Sequence, residues 1–220
     1  MKLLIFPGGG NPSHREYKDA YDLLAENAPR YGYDEVDISL RWPGQFTENE
    51  RADDALTFDG AVDAASSYLS QHEQEKERFD IVSRSFGTLV AARSAIGDQP
   101  AKLRKLIFWG VPPYWLFWRR WKRDLEANRK MGLRKGIRIE ESFFSSLVPF
   151  EETIPELPYP AVVATGTNDE VAQPAFLKYL ASLVSEEQDI DFRVVDDAPH
   201  VVDSDSPADV RKGYLEALFT

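Results

Sequence analysis

Apolar residues fill successive positions in Leu3-Leu4-Ile5-Phe6, around Phe79-Asp80-Ile81-Val82, in Leu106-Ile107-Phe108-Trp109 and in Ala161-Val162-Val163-Ala164. Short runs of this kind predict parallel strands covered on both faces. Tyr33 to Leu40 alternates apolar and polar positions and predicts a more exposed strand, and Asp191 to Val195 predicts a last one. Between these stretches the period lengthens to that of a helix. Tyr17, Tyr21 and Leu24 share one helical face, and Ala61, Ala64, Ala65, Tyr68 and Leu69 share another within 54–77. Pro174 to about Ser185 and Ala208 to Phe219 complete the helical segments. Strands alternating with helices call for a parallel sheet with helices on both faces. The expected class is α/β, a three-layer αβα sandwich around a mostly parallel sheet of about six strands.

One interval breaks the alternation. Residues 112–158 hold no strand-like run, and from Trp115 to Arg138 nine Lys and Arg stand against Asp124 and Glu126, a local charge of +7 in a chain of formal net charge −11. This interval is expected to form a helical cap inserted into a core made of residues 1–111 and 159–220. The polar tail from Gln71 to Arg78 predicts a solvated surface position for His72.

Composition narrows the classes of function. At 220 residues the chain suits one domain with an insertion. The net charge of −11 argues against nucleic-acid binding, which rests on Lys and Arg meeting phosphates. Cysteine is absent, which excludes disulfides, thiolate metal sites and a cysteine nucleophile. No apolar run approaches the length of a membrane span, and the first one is too short for a signal segment. A cytoplasmic protein without stable membrane insertion is expected, and its chemistry calls for no cofactor and no metal.

The candidate chemistry centres on Ser83-Arg84-Ser85-Phe86-Gly87, where an apolar run meets a helix former through small residues. A sharp strand-to-helix corner lifts a serine hydroxyl above the sheet and leaves the next N–H free to donate. Ser85 is the candidate nucleophile; a helix N-cap is the competing reading. The run Pro7-Gly8-Gly9-Gly10 after the first strand offers N–H groups unobstructed by side chains, suited to an anion or a developing oxyanion. Gly8-x-Gly10-x-x-Ser13 lacks the last glycine of a dinucleotide fingerprint, and no Gly-Lys-Ser/Thr ending supports a P-loop. Ser13 and Glu16 have capping-box spacing, which gives the neighbouring His14 a helix-start role.

Two further loops after strands hold Asp169 and His200. A serine needs a base to take its proton, histidine titrates in the useful range, and a carboxylate fixes the imidazole tautomer. Asp169 has Glu170 and Asp197 as rivals for that last role. The pieces Pro7-Gly8-Gly9-Gly10, the Ser85 corner, Gly166-Thr167-Asn168-Asp169-Glu170-Val171 and Ala198-Pro199-His200, in this order, resemble the α/β-hydrolase superfamily over nearly the whole chain. Pro7 stands where that family often has histidine, and Ser83 where it has glycine. The resemblance implies Ser85 as nucleophile, His200 as base, Asp169 as orienting acid, and the Gly9 and Phe86 N–H groups as oxyanion donors. It also implies a cap at 112–158, and the short amino terminus is expected to leave out the family's first antiparallel strands. The expected activity is that of a serine hydrolase cleaving a carboxylic ester or thioester of a small, partly apolar molecule. Trp109, Trp115, Trp118 and Arg119 are the expected substrate contacts, with Arg120 and Lys122 as further cations. A ligand-binding protein on the same fold, turning over slowly or not at all, is the alternative.

Overall fold

The computed structural model describes residues 1–9, 15–43, 56–115, 119, 133–134, 137–138 and 142–220. Its strands are β1 (Lys2–Phe6), β2 (Glu35–Asp37), β3 (Phe79–Arg84), β4 (Leu103–Trp109), β5 (Leu133–Arg134), β6 (Ile137–Arg138), β7 (Ala161–Gly166) and β8 (Ile190–Val195). Its helices are α1 (Arg15–Asn27), α2 (Phe58–Glu73), α3 (Phe86–Asp98), α4 (Ser142–Ser146), α5 (Phe150–Thr153), α6 (Pro174–Leu183) and α7 (Ala208–Phe219). Six strands form one sheet in the order β2-β1-β3-β4-β7-β8, and every neighbouring pair is parallel. β5 and β6 make a separate antiparallel pair.

Two-residue periodicity sorts the core. Leu4, Phe6, Phe79, Ile81, Leu106, Phe108 and Val163 belong to one apolar cluster, with side chains of α2, α3, α4, α5 and α6. Leu3, Ile5, Val82, Ile107, Trp109, Val162 and Ala164 belong to a second, with side chains of α1 and α7. Full burial of such a side chain stabilises by about 1.5–3 kcal/mol, and a one-residue slip of any strand would exchange its two faces. The unbroken apolar runs are thus the signature of a sheet buried between two helical layers.

The interval 112–158 does not stand wholly apart from this core. Phe143, Phe144, Leu147, Phe150 and Ile154 are buried in the first cluster; Phe143 meets Phe86 at 5.4 Å between ring centroids, and Phe150 meets Phe108 at 5.1 Å. Its carboxyl half therefore completes the helical layer over α3. Gly10, Ser13, His14, Trp118, Arg120 and Lys122 lie outside the described residues.

His72 corrects an expectation. It is buried, with its ring edge-on to Tyr68 at 4.6 Å and Nδ1 2.9 Å from Glu75 Oε1. The polar tail conceals that residue 72 continues the buried stripe of Ala61, Ala65, Tyr68 and Leu69 at helical spacing.

The amino end of the sheet is closed by polar pairs. Asp80, fully buried, accepts from Arg104 Nε at 3.0 Å, from Arg104 Nη2 at 2.7 Å and from the Tyr33 hydroxyl at 2.8 Å. Nearby, Lys2 Nζ bridges Glu35 at 2.8 Å and Glu75 at 3.0 Å. The chain runs outward from β1 to β2 and then crosses back to β3, so the strand order reverses between β1 and β3. Ligands of open parallel sheets bind at the carboxyl ends beside such a reversal. Here that crevice lies between the loop after Phe6 and the corner at Ser85.

Replacing Asp80 by alanine leaves the Tyr33 hydroxyl buried without its acceptor and strips Arg104 of its carboxylate. Asp80→Ala is expected to lower unfolding stability by about 3 kcal/mol. Urea unfolding followed by circular dichroism measures it.

Candidate active site

Ser85 occupies the corner between β3 and α3 with φ 51° and ψ −125°, a positive φ that non-glycine residues rarely adopt. It stands at the N-cap position of α3, yet its side chain makes no cap hydrogen bond. The helix instead uses the Ser85 carbonyl, which accepts from the Thr88 N–H at 2.9 Å and the Thr88 hydroxyl at 2.6 Å. The corner is tight because α3 starts against the end of β1: a Cβ on Gly87 would come within 2.3 Å of the Pro7 carbonyl oxygen. Ser83, where the motif has glycine, fits because its buried hydroxyl donates to the Ile107 carbonyl of the neighbouring strand at 3.2 Å.

Asp169 and His200 meet directly: His200 Nδ1 lies 2.8 Å from Asp169 Oδ2. The two loops that carry them are joined by the Asn168 N–H to the Ala198 carbonyl and the Thr167 N–H to the Val195 carbonyl. Asp169 is 2% exposed, and its Oδ1 accepts from the Val171 and Ala172 N–H groups at 2.8 and 2.7 Å. Burial by itself would raise the carboxyl pKa. The His200 hydrogen bond and charge, with the two backbone N–H groups, outweigh it and hold Asp169 below the usual carboxylate range. Of the rival acids, Glu170 and Asp197 are exposed, and Asp169 is the one that touches His200.

The end of β4 links this pair to Ser85, which the sequence reading missed. The Ser85 N–H donates to the Trp109 carbonyl at 3.0 Å, and Trp109 Nε1 donates to the His200 carbonyl at 3.1 Å. Gly110, at φ 61°, presses on the imidazole: a Cβ there would lie 2.9 Å from His200 Nδ1 and Cε1 and 3.1 Å from Asp169 Oδ2. His200 reaches Asp169 and Trp109, and among the described residues no hydrogen bond joins it to Ser85 Oγ. In unliganded sites such bonds are often long and tighten when substrate arrives.

Trp109 is accordingly a correction. It is fully buried and packs edge-on against Tyr214 at 4.6 Å, and its indole N–H holds the histidine loop, so its side chain offers no exposed surface for a substrate. Trp115 and Arg119 are exposed. Gly9 is half-buried after β1, and Phe86 opens α3 with a ring in the core. A Cβ built on Gly8 would lie 3.6 Å from Ser85 Cβ, which places the glycine loop directly beside the serine. A cavity of about 400 Å³ opens behind that loop, lined by Ile5, Pro7, Tyr21, Ile38 and Arg41. Another of about 500 Å³ lies beside the acid loop at Thr167, Glu170 and Gln173. Ser85 and His200 line neither of them. Among the described residues no group of three His, Asp or Glu is placed to hold a metal ion, and no helix is long and apolar enough to cross a membrane.

No family model matches the chain, and no curated protein matches its sequence. Solved structures do match in shape. A thermophilic esterase from Thermogutta terrifontis superposes with a TM-score of 0.66 at 16% identity, covering 100% of this chain and 91% of its own. The chain has the α/β-hydrolase fold. A ferulic-acid-bound protein from Butyrivibrio proteoclasticus follows at TM-score 0.67 and 11% identity, covering 98% of this chain and 85% of its own. The monoacylglycerol lipase of Paleococcus ferrophilus has TM-score 0.62 at 16% identity, over 98% of this chain and 92% of that one. Within this fold, the six strands of the main sheet among the described residues all run parallel.

Two outcomes follow from this geometry. Gly110→Ala adds a methyl group where the imidazole sits and strains a positive φ; it is expected to displace His200 and destabilise by about 1–3 kcal/mol. Histidine NMR resonances and a thermal melt measure both effects. The second concerns pH. Because the folded Asp169 pKa lies below its ordinary value of 3.8, the carboxylate adds stability that is present above that value and is lost as pH falls through it and then through the folded value. The urea midpoints of the native protein and Asp169→Asn are expected to converge as pH drops from about 7 to about 3.

Proposed function

We propose that the protein is a serine hydrolase acting on carboxylic esters or thioesters of small, partly apolar molecules. The observation that carries the proposal is the Ser85 side chain: it stands on a strained corner at the helix start, and the helix makes no use of it. A serine kept only as a cap would have the reverse geometry, with relaxed backbone and an engaged hydroxyl. Half-buried His200, held by the buried Asp169 at the same sheet edge, is the base that a serine nucleophile needs. The esterase and lipase names of the structural neighbours agree with this class of reaction.

In the reaction, Ser85 Oγ attacks the acyl carbon while His200 Nε2 takes its proton. Asp169 holds the Nδ1–H and stabilises the imidazolium that forms. The Gly9 and Phe86 N–H groups receive the developing oxyanion. Phe86, as the first residue of α3, has no intrahelical acceptor for its N–H. His200 then protonates the leaving alcohol or thiol. Water enters, gives a proton to His200 and its oxygen to the acyl carbon; the acyl–Oγ bond then breaks as His200 returns that proton to Ser85 Oγ, and the acid leaves. Trp115, Trp118 and Arg119 are assigned to substrate contact, with Arg119 suited to an acidic group on an otherwise apolar molecule.

Turnover of p-nitrophenyl butyrate tests the proposal. Ser85→Ala is expected to lower it by at least about 10³-fold, and a fluorophosphonate should label Ser85 alone. Equal nitrophenol release by both proteins would overturn the assignment and favour a ligand-binding role.

A further inference from the structure

The peptide between Gly8 and Gly9 carries both the Gly8 carbonyl and the Gly9 N–H. In a trans peptide these point in opposite directions, so whatever grips the carbonyl also aims the N–H. No cis peptide occurs among the described residues. Trp42, buried at 2% exposure, grips it: its Nε1 donates to the Gly8 carbonyl at 3.3 Å and to the Pro7 carbonyl at 3.1 Å. The same indole packs edge-on against Phe86 at 5.9 Å and against Phe6 at 6.0 Å. One side chain thus touches the peptide that bears one oxyanion donor and the residue that bears the other.

Tyr21 secures the loop through a second peptide group. The Gly8 N–H donates to the buried Tyr21 hydroxyl at 2.8 Å, which leaves that N–H committed and only the next one for an incoming oxygen. The Tyr21 ring is itself held, with the Arg84 guanidinium 5.3 Å from its centroid. Arg84 immediately precedes Ser85, so the brace for the loop and the nucleophile hang on the same turn of chain.

We propose that Trp42 and Tyr21 are positioning residues for the oxyanion hole, Trp42 by fixing the plane of the Gly8–Gly9 peptide and Tyr21 by holding the peptide before it. The inference rests on the reading of Ser85 as a hydrolytic nucleophile. A bond accepted at the Gly8 carbonyl also polarises the peptide and strengthens its N–H as a donor. Both side chains are buried and act on the loop's peptide groups. Their effect is therefore confined to transition-state stabilisation, where the oxygen gains charge.

Trp42→Phe keeps an aromatic ring against Phe6 and Phe86 but removes the indole N–H; Tyr21→Phe removes only the hydroxyl. Each is expected to lower kcat on p-nitrophenyl butyrate by about tenfold to a hundredfold, with KM changed less than about twofold. The pH profile of kcat/KM should keep its midpoint, because the Asp169–His200 pair is untouched. A thionoester supplies the reading that a merely structural role would not move. Its sulfur accepts hydrogen bonds poorly, so the ratio of oxyester to thionoester rates should fall in both variants. Fluorophosphonate labelling of the native protein separates the two levels of the argument. If Ser85 is labelled and neither variant alters kcat or the thionoester ratio, this inference is overturned while the hydrolase assignment stands. If Ser85 is not labelled in the native protein, both fall together. Tyr21→Phe deletes a single oxygen, so it remains decisive if Trp42→Phe loses its fold, which circular dichroism detects.

Discussion

The corner at Ser85 is held in a backbone conformation that the isolated chain avoids, at a cost of about 1–3 kcal/mol. It survives because its neighbours leave it no alternative. The Ser85 N–H is bound to the Trp109 carbonyl, its carbonyl is bound by Thr88, and Gly87 seats α3 against the end of β1 with no room for a side chain. The contacts come from β4, from α3 and from the end of β1, so the strain is imposed by the packed elements together. The cost is small beside the burial of β3, where every residue from Phe79 to Arg84 is buried. What the fold gains is a hydroxyl at the sheet edge that the helix below it does not use.

That edge is assembled by β4 as much as by β3. Trp109 offers its carbonyl to the serine corner and its indole N–H to the histidine loop, and Gly110 lets the imidazole lie against the chain. The Asp169–His200 pair is fixed on its other side by backbone bonds between the acid and histidine loops. The three groups of the proposed triad therefore share a rigid frame made mostly of main-chain atoms. Such a frame needs little reorganisation as charge develops, which is where electrostatic catalysis draws its advantage.

Much of this was legible in the sequence. The runs from Leu3 to Phe6 and from Leu106 to Trp109 read as buried strands because burial on both faces removes polar alternation, and the corner at Ser85 read from its small residues. Asp169 and His200 were legible from their places after the last two strands. What escaped were side chains whose meaning lies in contacts between distant parts of the chain. Trp109 looks like a pocket aromatic in sequence and proves to hold the loop of residue 200, 91 positions away. Trp42 sits in an irregular stretch where no periodicity marks it as core, yet it reaches back 34 residues to Gly8. His72 was hidden by charged neighbours, although its spacing from Tyr68 and Leu69 matched the buried face of α2. The interval 112–158 read as a single insertion because its basic first half dominates the composition. The apolar second half joins the core through Phe143 and Phe150.

The two ends of the sheet divide the work. At the amino end, Asp80, Arg104 and Tyr33 satisfy one another, and Lys2 answers Glu35 and Glu75, so these strands begin in paired polar groups. At the carboxyl end the polar groups are poised: a strained serine, a half-buried histidine held by one carboxylate, and a glycine loop steered by two aromatic side chains. A site that keeps donors and a hydroxyl ready for a substrate forgoes the bonds those groups would otherwise make within the protein. Stability must then come from elsewhere, and here it comes from the opposite edge and from the apolar layers on the two faces of the sheet. Substitutions at the amino end should therefore trade in stability with the site left intact, whereas those around Ser85 can relax the corner and raise stability as they remove the chemistry proposed for it.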